Sequence, residues 1–301
     1  MSTFVITGST GFIGSSIIPL LRAEGHTVRT IGRHAQDNAR WGDPDSSLAR
    51  VLEGTDVLLH LAGRTVNCRY NAHTVDELFS SRVETTAALG RAMRLCDTPP
   101  AVWLNASSGT YYADTRNHPN TEAAGTMGSG LSVAIVRAWE QELFTAEVPA
   151  RKVALRTSFV LGNQGGALPM MARLAKFGLG GHQGDGGQLV SWIHINDMIA
   201  AIWHVIATED ISGPVNIATP QPVTNAELMA GVRKYFGGSV GSRFGIPTPR
   251  VLLEVGARII RTETELVLKS RWVSPEVLEQ TGFAWSFDTV DACLADLASH
   301  S

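Results

Sequence analysis

The chain is poor in cysteine, in charge of either sign and in long apolar runs, and each shortage removes a class of protein. Three cysteines occur in 301 residues, Cys68, Cys96 and Cys293. An odd number without CxxC or Cys/His spacing fits neither a disulfide framework nor a zinc site, so each is read as a reduced thiol and no metal is expected. Charged residues make up 18%, and 25 Lys+Arg against 28 Asp+Glu leave a net charge of −3. That balance gives no electrostatic footprint for nucleic acid or an anionic membrane surface. No apolar run reaches the ~18–20 residues of a membrane span. The first run is short, ends at Gly8 and has no basic segment before it, so no export signal is read and a cytoplasmic location is expected. Low-complexity tracts and internal repeats are missing too, while hydrophobic residues reach 44%. The sequence therefore describes a folded protein of one large or two closely joined domains.

What the sequence does have is patterned glycine. Phe4-Val5-Ile6-Thr7 is an apolar strand, and Gly8-Ser9-Thr10-Gly11-Phe12-Ile13-Gly14 turns it into a helix with the spacing G-x-x-G-x-x-G. Gly8 reaches backbone angles closed to other residues, Gly11 admits a pyrophosphate close to the main chain, and Gly14 lets the helix pack tightly. The helix N-terminus supplies unpaired N–H groups and the positive end of a dipole, an anion site that needs no basic side chain. An ordinary glycine-rich turn is the alternative; the strand before and the helix after favour a dinucleotide site. The next strand, Thr27 to Ile31, ends in Gly32-Arg33, with His34 and Arg40 nearby and no acidic residue before Asp37. An acidic residue here would bind a ribose 2′-hydroxyl, whereas Arg33 suits a 2′-phosphate or is simply a solvated strand-end arginine.

Further along, Asp56 to Leu61 reads as a buried strand ending in His60-Leu61-Ala62-Gly63, whose small residues leave room for a cofactor. A helix is predicted from Asp76 to about Leu95, and a strand from Ala101 to Ala106 opens onto Ser107-Ser108-Gly109-Thr110-Tyr111-Tyr112. Those hydroxyls either contact a substrate carbonyl or cap the next turn. Thr115 to Gly130 is expected as an exposed loop, followed by a helix from Ser132 to about Ala146 and a strand from Lys152 to Leu161. Gly162–Gly166 and Phe177–Gln188 read as glycine-rich loops, mobile or shaped around a ligand, flanking a helix from Ala167 to Lys176. Short strands at Ser191–Ile195 and Pro214–Ile217 enclose a helix from Asp197 to Ile206. Helices are expected over Asn225–Phe236, Arg250 to about Ile260, and Thr289–Leu297. His194 and Asp197 read as a His/carboxylate pair or, in preference, as a core histidine bonded to a backbone carbonyl with Asn196 or Asp197 as the N-cap of the following helix. Asn67, Cys68, Arg69 and Asp185 line a substrate mouth or are ordinary loop residues; Trp192, Trp203 and Trp272 read as core.

Together, Thr7-Gly-x-x-Gly-x-x-Gly14, Asp56…Gly63, the Ser-Ser…Tyr-Tyr cluster, Leu155-Arg-Thr-Ser-Phe-Val-Leu-Gly162 and Trp192-Ile-His-Ile-Asn-Asp197 resemble the extended short-chain dehydrogenase/reductases. Ser81-Arg-Val83, Phe177-Gly-Leu-Gly-Gly181, Gly213-Pro-Val-Asn216, Pro220-x-Pro-Val223 and Ser274-Pro-Glu-x-Leu278…Gly282-Phe283 resemble more closely an atypical, NAD-dependent epimerase/dehydratase-like branch that ends in a domain of unknown function. The resemblance covers nearly the whole chain. It implies an α/β fold: a Rossmann-like, doubly wound parallel sheet over 1–162, with part of 190–220 returning to it, and a smaller C-terminal α/β substrate lobe over 163–301. It implies NADP(H) held by Gly8, Ser9, Thr10, Gly11, Phe12, Ile13, Gly14, Arg33, Leu61, Ala62, Gly63, Arg156, Thr157 and Ser158. A small-molecule substrate and a monomer or homodimer are expected.

One departure from the superfamily bears on function. Its Tyr-x-x-x-Lys pair moves a proton at the substrate oxygen, with the lysine lowering the phenol's pKa. None of Tyr70, Tyr111, Tyr112 and Tyr235 has lysine four residues on. By the resemblance, Ser132 and Val136 stand at the two positions, and the nearest imitation, Tyr112-x-x-x-Arg116, lies in a loop. Three readings follow. One is an NADP(H)-dependent oxidoreductase or epimerase-like enzyme on a carbonyl or hydroxyl compound, with Ser107 or Ser108 orienting the substrate and Tyr111 or Tyr112 supplying the proton. The alternatives are a non-catalytic NADP(H)-binding sensor or interaction protein, and a lyase or isomerase using the same pocket.

Overall fold

The alternation of buried apolar strands with amphipathic helices produces a seven-stranded parallel sheet in the computed structural model, which describes residues 1–66, 68–248 and 268–301. Its strands are β1 (Thr3–Thr7), β2 (Thr27–Gly32), β3 (Ala39–Arg40), β4 (Val57–His60), β5 (Val102–Ser108), β6 (Arg151–Thr157) and β11 (Gly213–Ile217). They lie in the order β11-β6-β5-β4-β1-β2-β3. The chain reverses direction across the sheet at β1, so a crevice opens at the carboxyl ends of β1 and β4, where ligands bind in such folds. The Rossmann-like architecture expected from the resemblance is the one observed.

Helices cover both faces, as parallel strands require. On one side α1 (Phe12–Ala23) and α6 (Ile195–Ala207) pack Ile17, Leu21, Met198 and Ile202 against Ile6, Leu59 and Leu155. On the other, α2 (Asp45–Leu52), α3 (Ala72–Met93) and α4 (Leu131–Thr145) bring Leu48, Leu89 and Leu143 onto Val5, Leu58 and Trp103. Pro19 sits inside α1 without breaking it. It and Ser15 are both exposed, so the Ser15 carbonyl, which loses its helical donor, faces solvent.

A third core belongs to the C-terminal lobe. There α5 (Leu168–Lys176), α7 (Asn225–Phe236) and the last helix, Val290–Ser299, enclose Met171, Ala175, Leu228, Val232, Cys293 and Leu294. Burial pushes the Cys293 thiol up, in keeping with a reduced, inert residue. Two smaller sheets, β10-β7-β8 and β12-β9, join the lobe to the main sheet. They comprise β7 (Phe159–Gly162), β8 (Gly165–Gly166), β9 (Leu189–Val190), β10 (Trp192–His194) and β12 (Val223–Thr224). The strand expected from Lys152 to Leu161 is therefore two strands. Ser158 N–H and Oγ both donate to the Ile217 carbonyl, whereas Phe159 N–H turns to Ser191.

Other expectations change for physical reasons. The Thr115–Gly130 segment is a loop, but Thr115 and Asn120 are buried, because Thr115 N–H and Asn120 N–H donate to the carbonyls of Ser270 and Trp272. The glycines of the two rich loops serve close packing. A Cβ on Gly162 or Gly165 would lie 2.5–2.6 Å from the Phe12 ring, and one on Gly181 would lie 2.2 Å from the Ile246 carbonyl oxygen. His194 caps α6 itself, its Nδ1 accepting the Asn196 N–H at 3.0 Å while Nε2 lies 3.3 Å from Asp296. Asp197 instead accepts the N–H groups of Ser286 and Phe287, both at 3.0 Å, tying α6 to the C-terminal segment. Asn67, Pro249 and the helix expected over Arg250–Ile260 lie outside the described residues. No described helix is long and apolar enough to cross a membrane.

Candidate active site

At the end of β1 the chain turns with Gly8 at φ +70°, in the left-handed region that favours glycine. A Cβ on Gly8 would stand 2.7 Å from the Leu61 carbonyl carbon, and one on Gly14 would stand 2.4 Å from the Gly8 oxygen. Side chains are thus excluded from the floor of the turn. Gly11 is the N-cap of α1 and offers no side-chain cap, leaving first-turn N–H groups open to an anion. Thr10 is exposed, Ser9 and Ile13 are half-buried, and Phe12 turns away to pack on the β7-β8 glycines.

The end of β2 presents Arg33 and His34 to solvent. Asp37, the first acidic residue after the strand, is occupied in shaping that turn. Its carboxylate accepts Thr30 Oγ1–H at 2.7 Å and His34 N–H at 2.9 Å. Gly32 makes this possible, since a Cβ there would lie 2.2 Å from Asp37 Oδ2.

Beside the glycine turn, Thr7, His60 and Thr85 form a buried relay. Thr7 Oγ1 accepts the N–H groups of Leu61 and Ala62, both at 3.1 Å, so its one proton goes to His60 Nδ1. His60 Nε2–H then donates to Thr85 Oγ1 at 3.2 Å. Burial, and next the nearby Arg82 cation, push the imidazole down to about 3. The neutral ring fixes the Leu61-Ala62-Gly63 turn at the crevice. The space left by Gly63 is taken on one side by a guanidinium: a Cβ there would lie 3.2 Å from Arg82 Cζ.

A cavity of about 270 Å³ opens at the carboxyl end of β5. Ser107, Ser108 and Thr110 line it from β5 and the turn beyond, and Thr157 from β6. From α4 come Ser132, Val136 and Trp139, and from α3 comes Arg82, with Tyr70 beside it. Serine and valine at the positions of the superfamily's Tyr and Lys therefore do face this cavity. Ser132 Oγ is buried and makes no hydrogen bond among the described residues.

Tyr111 and Tyr112, expected as proton donors, are absent from the cavity wall. Arg156, expected at the cofactor, is instead committed to a buried network with Glu140 and the two tyrosines. Its Nε and Nη2 donate to Glu140 at 2.9 and 2.7 Å, and its Nη1 donates to the Tyr112 oxygen at 2.9 Å. Tyr112 donates to Asn216 Oδ1 at 2.9 Å, and the Tyr111 ring centroid lies 3.6 Å from the guanidinium carbon. Burial pushes the Tyr112 phenol up. For Arg156 burial opposes the charge, but the Glu140 carboxylate outweighs it and holds the guanidinium above its ordinary value. Ser107 Oγ also donates to Glu140 Oε1. Of the paired hydroxyls this leaves Ser108, which accepts Thr110 N–H at 3.2 Å and keeps its own proton to donate. Arg116 pairs with Asp185 at 2.7 Å on the surface, away from Tyr112. Ser158 bonds inside the sheet.

Sequence reading passed over Tyr70 and Arg82 as cavity residues and Glu140 as the network's anion, while Thr110, one of the clustered hydroxyls, does line the cavity. The one signal was Arg82 itself, an arginine in the Ser81-Arg-Val83 stretch whose helix face is otherwise uncharged, with Leu78, Phe79, Thr85 and Thr86.

The model of the NAD dependent epimerase/dehydratase family matches residues 4–218, and a domain of unknown function, DUF1731, matches 248–297. The chain belongs to the NAD dependent epimerase/dehydratase family. The chain is similar to the Mycobacterium bovis epimerase family protein Mb2239, 33% identical with 96% of this chain and 95% of that one covered. Human epimerase family protein SDR39U1 is 29% identical, covering 98% and 99%. A crystal structure of the human protein with NADPH superposes with a TM-score of 0.86 at 30% identity, covering 99% of this chain and all of that one. UDP-N-acetylglucosamine 4-epimerase from Bacillus cereus has a TM-score of 0.76, covering 100% and 99%, at 16% identity, a likeness of fold alone. The resemblance to epimerase-like short-chain dehydrogenase/reductases is thus borne out.

Proposed function

We propose that this chain binds NADP(H) across the crevice and acts as an oxidoreductase or epimerase-like enzyme on a small carbonyl or hydroxyl compound. The observation that carries the reading is the turn at Gly8, Gly11 and Gly14, where added Cβ atoms would meet backbone, opening an uncapped helix beside the cavity. Gly8 to Gly14 would hold the pyrophosphate, Arg33 the 2′-phosphate, and Leu61 to Gly63 with Thr157 the sheet edge beyond. The NADPH seen with the human relative supports that choice. When bound, the nicotinamide supplies or accepts a hydride. The chain's own part is to orient the reacting oxygen by Ser108 Oγ–H and to shield it behind Val136, Ile135 and Trp139. No step is assigned to Tyr111 or Tyr112, whose hydroxyl and ring are engaged with Arg156.

Side-by-side calorimetric titration with NADPH and NADH tests this. Selective NADPH binding that weakens at least tenfold in Arg33→Ala, about 1.4 kcal/mol, is the expected result; equal or absent binding of both removes the cofactor reading. A second reading, a non-catalytic NADP(H) sensor, is favoured by Ser132 and Val136 at the Tyr and Lys positions. NADPH bound to the protein and never oxidised by any small carbonyl compound would select it.

A further inference from the structure

The cavity wall carries a guanidinium, that of Arg82, which no carboxylate among the described residues neutralises. Arg82 Nη1 donates to the Leu78 carbonyl at 3.1 Å and Nη2 to the Arg64 carbonyl at 2.9 Å. Its Cζ lies 5.1 Å from the centroid of the Trp139 ring, and Gly63 fits against its other side. Backbone carbonyls, a ring face and a glycine fix the direction of the fork. They do not balance its charge, and among the described residues no carboxylate pairs with it. Arg82 is half-buried, and a cation that has given up part of its hydration is stabilised when a counter-charge arrives. Burial, the largest influence, lowers Arg82 to about 10, which still leaves it charged at neutral pH.

The rest of the wall is short of partners in a complementary way. Ser132 Oγ is buried with no hydrogen bond among the described residues, and Ser108 keeps a proton to donate. Resting on the reading above, we propose that Arg82 anchors the carboxylate of a small monoanionic substrate whose reacting oxygen is met by Ser108 and Ser132. A planar guanidinium matches a carboxylate geometrically. One cation balances one negative charge, whereas a phosphate dianion would bring a surplus that nothing else lining the cavity offsets. At about 270 Å³ the cavity lies just below the ~300–1,000 Å³ of drug-sized sites, the scale of a short oxo or hydroxy acid rather than a nucleotide sugar.

Matched pairs of probes test this on the full chain. Wild-type protein is titrated by calorimetry with 2-oxobutanoate against 2-oxobutanamide, and with phenylacetate against phenylacetamide, with and without saturating NADPH. Each carboxylate is expected to bind at least tenfold tighter than its amide. Arg82→Gln should bring each pair within twofold, and Arg82→Lys should keep a preference for the carboxylate. Because the ratio is taken within one variant, it does not depend on how much of that variant is folded. Pairs within twofold in the wild type, no binding of either carboxylate at millimolar concentration, or an undiminished ratio in Arg82→Gln would overturn the proposal. Failure to bind NADPH while the carboxylate ratio holds would instead defeat the cofactor reading.

Discussion

His60 is held neutral by bonding as well as by burial. Thr7 has a single proton and gives it to Nδ1, so protonating the ring would place two donors face to face. With the folded value lowered to about 3 against about 6.5 in the unfolded chain, the folded state binds fewer protons between those limits. Stability is therefore complete above about pH 6.5 and declines as pH falls, by up to about 1.4 kcal/mol per pH unit. His194, also lowered by burial, acts with the same sign. Urea midpoints recorded from pH 7.5 to 4.5 should hold level down to about pH 6.5 and then fall for the wild type, less steeply for His60→Gln, which starts from a lower stability.

Among elements, the seam between β5, β6 and α4 holds the least replaceable contact. Glu140 and Arg156 are 6% and 5% exposed, and the carboxylate also accepts from Ser107 on the cavity wall. Glu140→Ala leaves a buried guanidinium without its anion, a change that costs roughly 3–5 kcal/mol in such pairs. Denaturant unfolding should show a loss of that size. A loss under about 1 kcal/mol, the scale of a surface pair, would mean that water reaches Arg156. The same seam explains why the Tyr-Tyr expectation changed: Ser-Ser-Gly-Thr-Tyr-Tyr is contiguous in sequence, but the end of β5 sets its serines on the cavity wall while the turn beyond carries the tyrosines to Arg156.

At the scale of the whole molecule, the C-terminal segment is built into the dinucleotide fold rather than appended to it. Leu278, in the helix Glu276–Gln280, belongs to the same buried cluster as Ile6 and Ile202. Trp285 Nε1–H donates to the Ala218 carbonyl at 3.0 Å, and Asn163 Nδ2 reaches the Leu297 carbonyl at 2.6 Å. Leu278 lies outside residues 4–218 matched by the epimerase model but packs against them, so Leu278→Ala should cost about 2–5 kcal/mol by cavity formation. Thermal melting should fall by several degrees in a single transition. An unchanged main transition would show the segment to be an independent unit.

Sequence alone determined the features that local chemistry dictates. Gly8-x-x-Gly-x-x-Gly14 admits one kind of strand-to-helix turn, buried apolar runs demand a covered parallel sheet, and the missing Tyr-x-x-x-Lys pair is visible by inspection. Arg33 at the end of β2 was legible for the same reason, since both its place and its charge are local. Only tertiary structure decided what depends on distant neighbours. It committed Arg156 to Glu140 and Tyr112 to Asn216. It took Asp197 to residues 286 and 287 instead of its own helix, and set Arg82 against Gly63 and Trp139 on the cavity wall. A side chain's charge and shape are written in the sequence, but whether it meets a partner or faces a cavity is settled by packing that joins segments tens to more than a hundred residues apart.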